Sequence, residues 1–226
     1  MSMECTRIHE ITRSLDRHRF PFDNKKIPRN GIYVLFQKGE EGHVQEGGRD
    51  RIVRIGTHTG DDQLPSRLRE HFLKENKDRS IFRKNIGRAL LNKQNDNFLE
   101  FWNLDLTTRR AKEIYMQQID FEYQKTIECQ VSKYIHENFS FSVFEVASKE
   151  ERLNIESKLI STVSLCNECM PSKDWLGKSS PNDKIVSSGL WLVNHLYKTP
   201  FDPESLENLS QIINQTLKVD NQFSRR

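Results

Sequence analysis

The sequence predicts an α/β chain of the α+β type, and three observations carry that expectation. Residues 31–36 (Gly-Ile-Tyr-Val-Leu-Phe) and 51–56 (Arg-Ile-Val-Arg-Ile-Gly) are short β-branched and aromatic runs, as strands require. Leu64, Leu68 and Phe72 recur every four residues and so share one face of a helix. Ser148 and Glu151 form a Ser-x-x-Glu capping box at the head of a second helical stretch.

In chain order, residues 1–26 are polar with weak helical periodicity and read as a short helix and linker, ended by Pro28, Arg29 and Asn30. Residues 37–50 hold Gly39, Gly42, Gly47 and Gly48 among charges, a loop signal that makes the first two strands a hairpin with a long connection. Asp61 and Asp62 offer caps and Pro65 suits a first helical turn. Ile81, Phe82, Ile86, Ala89 and Leu90 suggest a further helix, with Gly87 against it. Residues 98–106 read as a third strand, and 107–138 as a helical insertion. Phe139, Phe141, Val143 and Phe144 mark a fourth strand. Leu153, Glu156, Ile160 and Val163 step by helical spacing, residues 173–183 are turn-rich, and 185–197 read as helix. Asp202 and Pro203 open a last amphipathic helix carrying Leu206, Leu209, Ile213 and Leu217, with a frayed tail over 221–226. There is no internal repeat and no low-complexity tract.

A chain of 226 residues can bury one sizeable core. No apolar run approaches the roughly 18 residues of a membrane span. Residues 1–19 lack the apolar stretch of a secretory signal, so a cytoplasmic location is expected, with no membrane partner. The net charge of +3 says little, but residues 67–93 hold nine Lys/Arg against three Asp/Glu. Such a stretch suits a phosphate backbone, although a solvated face of mixed charge is the plainer reading. Of the four cysteines, Cys166 and Cys169 have the Cys-x-x-Cys spacing of a zinc half-site. A structural zinc needs four ligands, and no second Cys/His pair stands at suitable spacing, so free thiols are expected.

Three groups could carry chemistry. Glu156 lies within an apolar helical stripe, and an inward carboxylate must be paired, hydrogen-bonded or bound to a cation. Mg²⁺ takes one or two carboxylates and keeps waters, while a salt bridge to an arginine is the simpler alternative. Arg67 and His71 project side by side, a guanidinium for phosphate oxygens next to an imidazole that can move protons. Tyr33 is either a core residue with a satisfied hydroxyl or a proton-transfer group.

The order of these pieces resembles the GIY-YIG nuclease superfamily: Gly31-Ile32-Tyr33 on a strand, a second strand ending in Ile55-Gly56, Arg67 to His71 on a helix, then a helical Glu156. The run Arg54-Ile-Gly-Thr-His58 is similar to one subgroup, as are Ser80-Ile-Phe-Arg83, the stretch from Trp175 to Pro181 and that from Ser188 to Trp191. The resemblance covers residues 28–196. It implies a nuclease-like domain over 28–200, with a helical segment and linker (1–27) before it and a helix and tail (201–226) after it. The implied fold is a small, mainly antiparallel sheet flanked by helices, with the insertion near 107–138.

The resemblance also implies an endonuclease that hydrolyses nucleic-acid phosphodiesters, DNA by family habit, with one Mg²⁺ or Mn²⁺. Tyr33 would position or deprotonate water, Arg67 would contact the scissile phosphate with His71 beside it, and Glu156 would hold the metal. Apart from the resemblance, Arg69, Arg83 and Lys84 of the basic stretch, with Arg54, are expected to contact the nucleic-acid backbone. Two positions depart from the pattern. Arg54 stands where the family has its second tyrosine, leaving His58 as the nearest substitute. The family's supporting asparagine has two candidates, Asn167 and Asn182. A binding module on a degenerate nuclease fold is the alternative that Arg54 motivates.

Overall fold

The structure is a computed structural model that describes residues 2–42 and 49–223. Gly47, Gly48 and residues 224–226 of the expected loop and tail lie outside the described residues, as does the Leu217 side chain. Three antiparallel strands form the sheet: β1 (Gly31–Gly42), β2 (Arg49–Gly56) and β3 (Phe139–Glu145), in the order β2-β1-β3. The first strand runs past Phe36 into what the sequence suggests is loop. There a register shift lies between Gln37 and Glu41, and Gly39 takes a φ of 78°. The buried Glu40 carboxylate pairs with Arg51 of β2 at 3.1 Å, which ties the extension to the hairpin.

Alternation along the strands divides the interior into two cores. Tyr33, Leu35, Phe139, Phe141 and Val143 face one, whereas Ile32, Val34, Phe36 and Phe144 face the other. A second register shift in β2 sets Leu35 opposite Arg54 but Phe36 opposite Ile52. The extra residue, Val53, joins the first core.

The first core is closed by α2 (Leu64–Phe72), α3 (Ile81–Lys93), α4 (Leu99–Asn103) and α6 (Phe121–Asn138), and α5 (Arg109–Tyr115) lies between the last two in sequence. The second is closed by α1 (Ser2–Arg13), α7 (Lys149–Ser164) and α9 (Pro203–Phe223). α6 belongs to the main core: Ile127, Val131 and Ile135 are buried in it. α1 and α9 are likewise built in, through Cys5, Ile8 and Ile11 on one and Leu206, Leu209 and Ile213 on the other.

Several expectations need correction. Residues 98–106 contain no strand. Phe98, which precedes α4, and Trp102 within it stand four apart and turn to the same core, where the Trp102 indole donates to the Lys84 carbonyl at 2.9 Å. This also accounts for Gly87 inside α3, since a Cβ there would sit 2.3 Å from the Trp102 ring. The helix expected over 185–197 is only α8 (Asp183–Ser188). Gly189 ends it in a left-handed conformation, and Trp191 then donates to the Val53 carbonyl at 2.7 Å. On α7 the buried stripe runs through Ile155, Leu159, Ile160 and Val163, and Leu153 is 37% exposed. Ser148 caps this helix by accepting from the Glu151 N–H.

The basic stretch does not form a continuous surface, because Lys77, Arg83 and Lys84 are buried. Arg83 gives Nε and a terminal nitrogen to Glu128 at 3.0 and 2.7 Å, and also bonds Ser132. Lys84 pairs with Asp78 at 3.1 Å. Neither is placed to meet a nucleic-acid backbone. Arg83→Met, which strands Glu128 in the core, is expected to lower stability by about 3–5 kcal/mol in urea unfolding. A surface phosphate contact would give almost no change.

Candidate active site

Tyr33 sits on the central strand opposite Gly56. Its ring lies across that glycine, where a Cβ would come within 2.2 Å of the phenol oxygen. The hydroxyl reaches His71 Nε2 of α2 at 2.9 Å. The other ring nitrogen, Nδ1, meets Ser80 Oγ at 2.7 Å, and Ser80 also caps α3 by accepting from the Arg83 N–H. Arg54 Nε donates to the same phenol oxygen at 3.3 Å. The guanidinium is buried, anchored on the Trp191 carbonyl and lying over the Phe82 ring. Arg54 thus faces Tyr33 from within the protein and is not a surface cation.

Glu156 projects from the edge of the α7 stripe and is half-buried. Its Oε1 accepts the Thr57 backbone N–H at 3.1 Å, just past the end of β2. Burial pushes this carboxyl above the usual range, opposed by the Thr57 N–H and by Arg54 and Arg67. Among the described residues no hydrogen bond to Oε2 is seen. A single desolvated carboxylate with an open oxygen fits a hard divalent cation that keeps most of its waters.

Arg67 lines an open cleft of about 270 Å³ together with Thr57, His58, Gln63, Ser66 and Glu70. Its guanidinium is partly exposed and rests on Glu70 at 3.0 Å and the Arg79 carbonyl at 3.1 Å. Tyr33, His71, Arg54 and Glu156 therefore gather around the Gly56–Thr57 end of β2, and Arg67 lines the cleft beside it.

The other expected residues lie differently. His58 donates from Nδ1 to the Gly60 carbonyl at 2.6 Å and accepts the Gly31 N–H at Nε2 at 3.3 Å, so both nitrogens already serve the turn after β2. Arg69 is exposed on α2. Asn182 caps α8 through the Lys184 N–H, and Asn167 is exposed in the turn between Cys166 and Cys169; neither is bonded to Glu156. Sequence reasoning placed Ser80 and Thr57 within motifs without giving them a role, and missed Gln37. The Gln37 carbonyl oxygen takes both the Trp175 and Trp191 indole N–H groups at 3.0 Å, which ties together the two Trp-bearing segments.

A family model described as the GIY-YIG domain matches residues 7–219, nearly the whole chain. The chain belongs to the GIY-YIG family, whose proteins are generally endonucleases acting on nucleic acid. No curated protein and no solved structure gives a significant match. No helix among the described residues is long and apolar enough to cross a membrane.

Burial holds His71 well below the ordinary imidazole range, aided by Arg67, Arg54 and Arg83. Burial likewise lowers His58 and His195. An imidazole that resists protonation when folded takes its proton first in the unfolded chain. Stability is therefore full above about pH 6.5 and falls as pH drops below it, by up to about 1.4 kcal/mol per pH unit for the fully buried His71 ring. His71→Gln is expected to flatten this acid limb in urea unfolding measured across that range. An unchanged slope would show that His71 titrates normally.

Proposed function

We propose that this chain is a metal-dependent endonuclease that hydrolyses phosphodiester bonds in DNA. The observation that supports this reading best is the gathering of Tyr33, His71, Arg54 and Glu156 at the end of β2, with Arg67 in the adjoining cleft. Glu156 would hold Mg²⁺ or Mn²⁺, which when bound supplies positive charge to the phosphate and the leaving oxygen.

The remaining roles fall to the chain itself. Ser80 accepts the Arg83 N–H, so its own hydrogen is free to go to His71 Nδ1. The imidazole, neutral in its buried setting, then carries its hydrogen on Nε2 and donates it to the Tyr33 oxygen. Arg54 donates to that oxygen as well. With both N–H groups donating to it, the phenol oxygen keeps its own hydrogen and would use it to position the attacking water, whose proton passes to solvent. The water oxygen bonds to phosphorus as the P–O3′ bond breaks, giving a 5′-phosphate and a 3′ oxygen that is protonated from solvent. Arg67 leaves Glu70 to bind the phosphate oxygens, where charge builds in the transition state. Arg69, exposed on the same helix, would contact the backbone without reading sequence. In this scheme His71 positions Tyr33, and His58 only holds the turn.

Plasmid nicking with Mg²⁺ or Mn²⁺ tests the reading. Tyr33→Phe is expected to slow cleavage about 10²-fold, and Arg67→Ala about 10²–10³-fold. Glu156→Gln should abolish both cleavage and Mn²⁺ binding by calorimetry. Salt-sensitive DNA binding with no nicking under any divalent metal would instead establish the degenerate binding module. Full activity in Glu156→Gln would reject the metal site.

A further inference from the structure

Away from the cleft, three of the four cysteines converge. The Sγ atoms of Cys5, Cys166 and Cys169 all lie within 4.8 Å of one another, and all three residues are buried. Cys5 and Cys169 are 3.5 Å apart, and no cysteine is in a disulfide. His9 stands one turn after Cys5 on α1, with Nδ1 3.7 Å from Cys5 Sγ and Nε2 3.8 Å from Cys169 Sγ. The pair that the sequence reading found lacking is thus Cys5-x-x-x-His9, brought by α1 onto the turn that follows α7.

We propose that Cys5, His9, Cys166 and Cys169 bind a structural zinc ion. A tetrahedral site with Zn–S bonds of about 2.3 Å and Zn–N bonds of about 2.0 Å sets its sulfurs about 3.8 Å apart, and sulfur and nitrogen about 3.5 Å apart. The Cys5–Cys169 spacing of 3.5 Å and the Cys169–His9 Nε2 spacing of 3.8 Å each lie within about 0.3 Å of those values, and the three sulfurs stand within 4.8 Å of one another. The tautomer also suits ligation. His9 Nδ1 faces the Cys5 carbonyl at 2.9 Å, and donating its hydrogen there leaves Nε2 as the bare nitrogen. Ligating histidines are usually oriented in this way. Nε2 also lies 3.4 Å from the Ile52 N–H, a long contact that a ligated nitrogen gives up. Three thiolates and Zn²⁺ would carry a net charge of −1.

The site would be structural, because all four ligands come from the chain and all four residues are buried. It would pin α1 to the C-terminal end of α7. That helix carries Glu156, ten residues and so roughly 15 Å before Cys166. The inference does not depend on the nuclease reading.

The test uses the full, tag-free chain from zinc-supplemented cells, purified without chelator. Elemental analysis is expected to give about one zinc per chain. Replacement by Co²⁺ should give the thiolate charge-transfer absorption and visible bands of a tetrahedral S₃N site. Cys166→Ser and His9→Ala should lose the metal or shift that spectrum. Cys129→Ser, at an exposed thiol elsewhere, should change neither. Chelation should lower the midpoint of thermal unfolding. Should a ligand variant fail to fold, the wild-type metal content and cobalt spectrum still decide. A folded wild type with less than about 0.1 zinc per chain after zinc exposure overturns the proposal. So does a cobalt spectrum without thiolate bands, or a disulfide between Cys5 and Cys169.

Discussion

The hydrogen bond from the Thr57 backbone N–H to Oε1 of Glu156 joins two layers that the sheet otherwise separates. Tyr33 and the first core lie on one face of β1 with α2 and α3. Glu156 belongs to α7, on the opposite face. Inside a sheet, side chains of the two faces cannot meet, because strand backbone lies between them. They can meet only past a strand end. β2 ends at Gly56, opposite Tyr33, and the chain turns there at Thr57. The phenol reaches that end from one side because Gly56 has no Cβ, and the carboxylate reaches it from the other because Thr57 offers a free N–H. The register of one short strand therefore decides whether the site can exist.

The second layer of support is charge inside the protein. Arg54 occupies the place where the family pattern has a tyrosine. It is held by the Trp191 carbonyl and the Phe82 ring, with Nε on the phenol oxygen. Trp191 is held in turn by Val53 and Gln37. A cation fixed by so many partners does not depart with substrate. It is a fixed positive charge beside the Tyr33 oxygen, held in place before any ligand arrives. Arg67, by contrast, rests on Glu70 at the rim of an open cleft, with its guanidinium partly exposed. One arginine is thus fixed in the interior and the other is held at the surface.

Much of this was legible in the sequence, and the failures have a common cause. The strands at 31–36, 51–56 and 139–144 could be read because their residue types and spacing are local signals. The helical face of Leu64, Leu68 and Phe72 and the cap at Ser148 are equally local. Residues 98–106 went wrong because a short apolar run does not choose between periods, and the four-residue step from Phe98 to Trp102 decided it. The interior roles of Arg83 and Lys84 were hidden for another reason. A basic residue reads as surface until its partner is known, and Glu128 lies 45 residues from Arg83. The Cys5 and His9 pair escaped for the same reason, since 160 residues separate His9 from Cys169. Motif order survives in one dimension, whereas charge pairing and ligand sets form only when the chain closes.

That distinction bears on how α7 is controlled. Its buried stripe of Ile155, Leu159, Ile160 and Val163 sets the helix against the sheet, but apolar packing alone tolerates small slides along the axis. Glu156 tolerates little, because a shift of one residue would turn it away from Thr57. Directional contacts near both ends limit such slides. Arg152, buried near the first turn, donates to the Val146 and Ala147 carbonyls at 3.2 and 2.6 Å. Beyond the last turn, Cys166 and Cys169 meet Cys5 and His9 of α1. Between these anchors the carboxylate has one axial position. The precision needed at the strand end is thus set by polar contacts a turn or more away, on the side of the sheet that Tyr33 never faces.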